Sequence, residues 1–268
     1  MRTQVTLSTD HLIYEKDAEK KRAYITFNRP DRMNAISPEM NRGISEAMDD
    51  FNSDPEMWIV IFTGAGERAF CAGADLGSTI PNATANARSE PLQVNEHRSF
   101  DRVFKPILAA VNGFCIAGGL EMMQGMDIRI ASENATFGLG EVRWGIVPSG
   151  GSHVRLPRQI PWAWAMELLM TGQRITAQQA YNCGLVNRVV APDQLMAETE
   201  RFADMICDNG PLAVRTAKEI AVRASMGMSW EQGFALESVL ATRAFGSEDA
   251  VEGPKAFMEK RKPNFKGR

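Results

Sequence analysis

The sequence predicts an α/β fold, on three observations. Apolar strand-like runs alternate with amphipathic helical segments through about residue 150, several of those runs exit into glycine, and beyond about residue 190 only helical patterns remain. "AYITFNR" (23–29) sets Ile25 and Phe27 against Thr26 and Asn28, the two-residue period of a half-buried strand. In "SPEMNRGISEAMDDF", Ser37 reads as a helix N-cap, Pro38 as the first helical residue and Glu39 as a first-turn acid. Met40, Ile44, Ala47, Met48 and Phe51 then share one helical face. "WIVIFTG" (58–64) is an unbroken apolar run closed by glycine, the mark of a strand buried on both faces, and "ILAAVNG" (107–113) and "DIRIAS" (127–132) read alike. After "GLVNRVV" (184–190) a helix opens past Pro192 with Asp193 as cap, burying Leu195, Phe202 and Ile206. Further helices cover 211–226, 229–245 and 248–261. Residues 78–95 are polar and rich in Pro and Asn, and predict a mobile loop. The chain thus divides into an α/β core over 1–192 and a helical region over 193–268.

At 268 residues, with 44% hydrophobic and 24% charged positions, the chain is long and apolar enough for a large core. A net charge of −3 gives no reason to expect a nucleic-acid partner or a membrane surface. Cys71, Cys115, Cys183 and Cys207 are scattered with no CxxC pair, which predicts reduced thiols in a cytoplasmic protein. His11, His97 and His153 are isolated, so no metal site is expected. "MRTQVTLSTD" lacks the apolar core of a signal peptide, and no apolar run reaches about 18 residues. The expectation is a soluble chain without a targeting segment.

Three glycine-bearing strand exits carry the chemical interest: "FCAGADL" (70–76), "NGFCIAGGLE" (112–121) and "FGLGEVRWGIVPSGG" (137–151). Small residues at a strand-to-helix turn let a ligand approach the backbone, and a helix N-terminus offers unpaired N–H groups. Two such groups from separate turns, aimed at one point, make an oxyanion hole. Taken singly, either loop is equally a tight turn that needs positive φ. Neither contains GK[ST] or G-x-G-x-x-G, so nucleotide-phosphate motifs are absent, and no G-x-S-x-G elbow supports a serine hydrolase. Glu121 falls in the first turn of a helix beginning near the paired glycines, and Glu141 sits among small and apolar residues. Two carboxylates near one oxyanion site can hold a water and move protons, whereas each alone also fits a solvated surface position.

In order along the chain, "FNRPDRMNAIS", "IVIFTGAGERAFCAGADL", "PILAAVNGFCIAGGLEM", "DIRIAS", "ATFGLGEVRWGIVPSGG", "LLMTGQRITAQQAYNCGLVNRVV" and "EGPKAFMEKRKPNFKGR" resemble the enoyl-CoA hydratase/isomerase (crotonase) superfamily over nearly the whole length. The resemblance implies a crotonase-like spiral of ββα units carrying an acyl-CoA site, followed by a C-terminal helical trimerisation region, with homotrimers often paired into hexamers. It implies an acyl-CoA thioester as substrate, with coenzyme A brought in by that substrate and no separate cofactor. By motif, the backbone N–H groups of Ala74 and Gly118 match the family's oxyanion hole, and Glu121 and Glu141 match its two hydratase glutamates.

The same resemblance implies that Arg32, Ala35, Ala72, Asp75 and Leu76 line the path of CoA, largely through backbone atoms, and that Gly140 lines the substrate beside Glu141. Arg68 stands where a lysine is common and keeps a phosphate partner, while Gly77 replaces a second lysine. Phe257 and Lys260 match residues that reach CoA from a neighbouring subunit. Retention of both glutamates favours hydration of a 2-trans-enoyl-CoA. The alternatives are a Δ3,Δ2-enoyl-CoA isomerase, a carnitinyl-CoA dehydratase-like activity suggested by the C-terminal stretch, a hydroxycinnamoyl-CoA hydratase-lyase and a non-catalytic acyl-CoA-binding protein. Trp162 and Trp164 read as helix-packing residues, and Trp144 as a wall of the acyl pocket.

Overall fold

The computed structural model describes residues 1–75 and 100–268. Leu76, Gly77, His97 and the loop expected at 78–95 lie outside the described residues. The chain forms two compact units, Met1–Phe100 with Ile107–Glu200, and Asp101–Pro106 with Arg201–Arg268.

The first unit is built on a seven-stranded sheet of order β1-β2-β3-β4-β6-β8-β11. Its strands are β1 (Thr3–Val5), β2 (Leu12–Asp17), β3 (Arg22–Phe27), β4 (Ile59–Gly64), β6 (Ile107–Val111), β8 (Ile128–Ser132) and β11 (Arg188–Val190). From β3 to β11 every pairing is parallel, with Tyr24 beside Ile61, Phe62 beside Ala109, and Ala110 beside Ile130. The apolar runs in β4 and β6 are buried along almost their whole length because parallel strands are covered on both faces. Helix α1 (Pro38–Ser53) covers part of that surface. The Ser37 Oγ accepts from the Met40 N–H at its start, and Met40, Ile44, Ala47, Met48 and Phe51 are all buried.

Four features differ from the sequence expectation. The antiparallel ribbon β1-β2, with Leu12 and Tyr14 buried, precedes the first expected strand. The glycine exits also contain strands of their own: β5 (Ala69–Cys71), β7 (Phe114–Ile116) and β9 (Thr136–Gly138) pair in parallel, and β10 (Arg174–Thr176) joins β9 antiparallel. Three-residue strands are too short to show alternation, so they read as turns. The helix expected after Pro192 begins one turn later. Pro192–Gln194 is a 3₁₀ turn containing Asp193, and the α-helix runs Leu195–Cys207, with Leu195 buried but Phe202 and Ile206 only half-buried. Trp162, expected in the packing, is 67% exposed at the start of the helix Trp162–Thr171.

The second unit contains helices Pro211–Ala224, Trp230–Phe245 and Glu248–Met258. Glu219 is buried between Arg223 and Arg243, at 2.8 and 2.7 Å. The final residues are held by two carboxylates. Asp249 accepts from the Lys266 and Gly267 N–H groups, and Glu252 from the Asn264 N–H and the Arg261 guanidinium. Helix Trp230–Phe245 buries none of its residues within the chain, leaving Trp230, Phe234, Val239 and Phe245 exposed.

The small sheet sits where backbones approach too closely for side chains. A Cβ on Gly113 would lie 2.3 Å from the Arg68 carbonyl oxygen, and one on Gly119 would lie 2.3 Å from that of Cys71. Among the described residues, nothing lies within 4 Å of where a Gly140 Cβ would go. Gly119→Ala should therefore lower stability by about 1–3 kcal/mol through overpacking against backbone, while Gly140→Ala should leave the melting temperature within about a degree, as expected for an unhindered position. Thermal melts of both variants check the contrast.

Candidate active site

Two chain segments meet at the exits of β5 and β7. Residues 29–36 are bound to residues 72–75 by three backbone hydrogen bonds: Ala72 N–H to Met33 O, Ile36 N–H to Gly73 O, and Asp75 N–H to Ile36 O, at 2.8–3.1 Å. Asn34 stabilises this turn from inside. It accepts from the Arg29 N–H and donates to the carbonyls of Ala65 and Ala69. Asn112 does the same from β6, bridging Gly64, Gly66 and Ala69. The result is a fixed loop whose Ala74 N–H meets no backbone acceptor among the described residues.

Opposite lies helix α2 (Gly118–Met123), entered through Ala117. Ala117 has φ 52° and ψ −126°, a conformation alanine seldom adopts, and its N–H is anchored on Gly138 O at 2.9 Å. This turn presents the Gly118 N–H as the first amide of the helix, without an intrahelical partner. The loops touch: a Cβ on Gly73 would lie 3.1 Å from the Gly118 nitrogen, and one on Gly118 would lie 3.6 Å from the Ala74 nitrogen. Two amides without a backbone acceptor among the described residues thus lie side by side.

Glu121 follows in the first turn of α2 and is buried at 5% exposure. Its Oε1 accepts from the Gly150 N–H at 2.6 Å and the Ser152 N–H at 3.3 Å, at the start of helix α3 (Ser152–Gln159). Gly150 is held to glycine by contact, since a Cβ there would lie 2.9 Å from Glu121 Oε2. Glu141 opens the 3₁₀ turn Glu141–Trp144, which Gly140 caps. Its Oε2 is buried and has no hydrogen-bond partner among the described residues. Burial, reinforced by the charge of Glu121, pushes the Glu141 carboxyl up to about 7. A carboxyl that holds its proton near neutral pH, beside a second carboxyl that accepts from two N–H donors, is a pair able to give and take protons.

The remaining expected positions fall as follows. Arg32 and Arg68 are exposed, Arg32 lying 3.7 Å from Asp31. Ala35, Ala72 and Asp75 lie on the joined segments just described. The Asp75 carboxylate is paired with Arg29 at 3.1 Å, and Arg29 also donates to Ala35 O at 2.7 Å. Trp144 is 71% exposed. Phe257 and Lys260 belong to the second unit and are exposed there. Sequence reasoning missed Gly150, Ser152, Asn34 and Arg29; the only visible signal for the first two was the glycine-rich end of "FGLGEVRWGIVPSGG". Among the described residues no cluster of three or more His, Cys, Asp or Glu side chains is arranged for a metal, and no helix is long and apolar enough to cross a membrane.

An α/β unit with paired acids beside two loop amides belongs to a recognisable class of acid–base folds, and comparison places it. A sequence model described as "Enoyl-CoA hydratase/isomerase" matches residues 17–268. The chain is 42% identical over 248 residues to enoyl-CoA hydratase EchA19 of Mycobacterium tuberculosis, covering 91% of this chain and 92% of the relative. It is 41% identical over 251 residues to carnitinyl-CoA dehydratase of Proteus mirabilis, covering 91% and 94%. A crystal structure of an enoyl-CoA hydratase from Mycobacterium tuberculosis H37Rv superposes with a TM-score of 0.86 at 36% identity, covering 97% of this chain and all of that one. The chain belongs to the enoyl-CoA hydratase/isomerase family and has its crotonase fold.

The raised Glu141 has a consequence for stability. Its folded value of about 7 exceeds the ordinary 4.5, so the folded state favours the protonated form. The group costs nothing below pH 4.5, where it is protonated folded or unfolded; the cost grows up to about 7 and is constant above. Glu141→Gln should therefore gain about 1–3 kcal/mol relative to wild type between pH 4.5 and pH 8, measured by urea unfolding at both values.

Proposed function

We propose that the protein is an enoyl-CoA hydratase, a hydro-lyase that adds water across the 2,3 double bond of a 2-trans-enoyl-CoA to give a 3-hydroxyacyl-CoA. The observation that carries this reading is the buried Glu141 carboxyl, pushed up to about 7 beside the fixed carboxylate of Glu121. The Ala74 and Gly118 N–H groups receive the thioester carbonyl oxygen, which gains negative charge as an enolate; losing one such donor costs roughly 3–4 kcal/mol. Both carboxyl groups hold the water. Glu121 takes a proton as the water oxygen bonds to C3, the double-bond electrons move onto the thioester, and Glu141 gives its proton to C2. Exchange with bulk water then returns the proton from Glu121 and restores that of Glu141. Two carboxyl groups and two amides account for every step, so the reaction calls on no metal or redox cofactor.

In this reading Arg68 meets a CoA phosphate, Arg32, Ala35, Ala72 and Asp75 line the CoA path largely through the backbone, and Gly140 borders the acyl group. Phe257 and Lys260 serve the site of a neighbouring subunit in a homotrimer or dimer of trimers. The exposed apolar side chains of helix Trp230–Phe245 support such assembly. A sedimentation measurement should return three or six times the 29.6 kDa chain mass; a monomer would refute the shared site. A second reading, dehydration of carnitinyl-CoA, is favoured by the Proteus mirabilis relative and by Trp144, exposed in the turn that carries Glu141, where an aromatic face suits a trimethylammonium group.

Loss of the conjugated-thioester absorbance of crotonyl-CoA tests water addition directly. Turnover of the 2,3-dehydrated form of carnitinyl-CoA in preference to crotonyl-CoA would select the second reading, and no hydration of any enoyl-CoA would sink both. Glu121→Gln and Glu141→Gln should each lower kcat by about 10²–10⁴ while retaining CoA-ester binding; an acyl-CoA carrier would lose nothing. Hydration should slow as pH rises through about 7, because Glu141 must start protonated.

A further inference from the structure

The start of α3 supplies the N–H groups that hold Glu121, and a third residue fastens that start. We infer that Gln124 is a positioning residue for Glu121, acting through Ser152; the inference rests on the hydratase reading above. Gln124 lies three residues beyond Glu121, at the C-terminal cap of α2, and is 2% exposed. Its Nε2 donates to Ser152 Oγ at 2.9 Å, and the same serine's N–H donates to Glu121 Oε1. Glu121 and Gln124 thus hold opposite sides of one fully buried serine, the first through its amide and the second through its hydroxyl.

Gln124 is itself fixed. Its carbonyl oxygen accepts from Arg129 Nη2 at 2.9 Å and from Gln159 Nε2 at 2.8 Å. Arg129 is buried and also donates to Met126 O and Leu185 O. Gln159 closes α3, so Gln124 is bonded to both the first and the last residue of the helix whose N-terminus faces Glu121. The Gln124 Oε1 is buried without a partner among the described residues. An apolar side chain would avoid that burial at no loss of packing, so the amide earns its place through what its Nε2 holds. The bond fixes the height of Ser152 on Glu121, and with it the direction of the carboxylate toward the water.

The test compares Gln124→Leu, Ser152→Ala and the double variant. Each single change should lower kcat about 10- to 100-fold with KM for crotonyl-CoA within about twofold, the pattern of a group misplaced in the transition state alone. Because both act on one bond, the double variant should lose little more than the worse single variant. Ser152→Thr, which restores the hydroxyl, should recover most of the rate. Gln159→Ala should lower the melting temperature yet leave kcat near wild type, since Arg129 still holds the same carbonyl. Hydrogen–deuterium exchange at the Gly150 and Ser152 amides, read whether or not turnover is seen, should quicken in Gln124→Leu and Ser152→Ala. Unchanged kcat in an active enzyme, additive losses, or unchanged exchange would overturn the inference. An inactive wild type would instead sink the hydratase reading alone, and the exchange measurement would still decide the inference.

Discussion

The contact on which the site depends is the close approach of backbone 68–73 to backbone 113–119. Arg68 O and Cys71 O stand where Gly113 and Gly119 have no side chain, and Gly73 abuts the Gly118 nitrogen. The paired strands β5 and β7 are short there, and Ala117 enters α2 through an unfavourable turn held by Gly138 O. In return the amides of Ala74 and Gly118 emerge together from different loops. A strained residue of this kind persists only where its surroundings over-determine it, and here two asparagines, Asn34 and Asn112, fix the facing loop.

The two glutamates are made unlike by their partners and not by depth alone. Glu121 is the more buried, yet it is satisfied by Gly150 and Ser152 at a helix start. Glu141 is less buried as a residue, but one of its oxygens is sealed without a donor among the described residues and faces its neighbour's charge. Glu121 has its N–H donors, whereas desolvation raises the Glu141 carboxyl.

What the sequence showed depended on whether a pattern repeats. Helix α1 was legible because several residues share one face, and strands β4, β6 and β8 because of their apolar runs; the two glutamates and the two loop amides were singled out only through family motifs. The small sheet was not, since three residues cannot show a period. Gly150, Ser152 and Gln124 were hidden for another reason: their bonds span 28 to 31 positions or join a side chain to a distant amide, and no local spacing encodes them. Trp162 erred in the opposite direction. Its size suggested a buried residue, while the helix it opens turns it outward.

Gly113 and Gly119 answer to backbone atoms, whereas Glu121 and Glu141 carry the acid–base role proposed for them. These two sets of residues are under separate constraints. A descendant of this sequence that exchanged either carboxyl for an amide would keep every close approach and fold as before. One that acquired a side chain at Gly119 would weaken the architecture with its chemistry still spelled out. Descent is therefore written in the glycines and the proposed reaction in the acids, so the two histories can diverge within a single lineage.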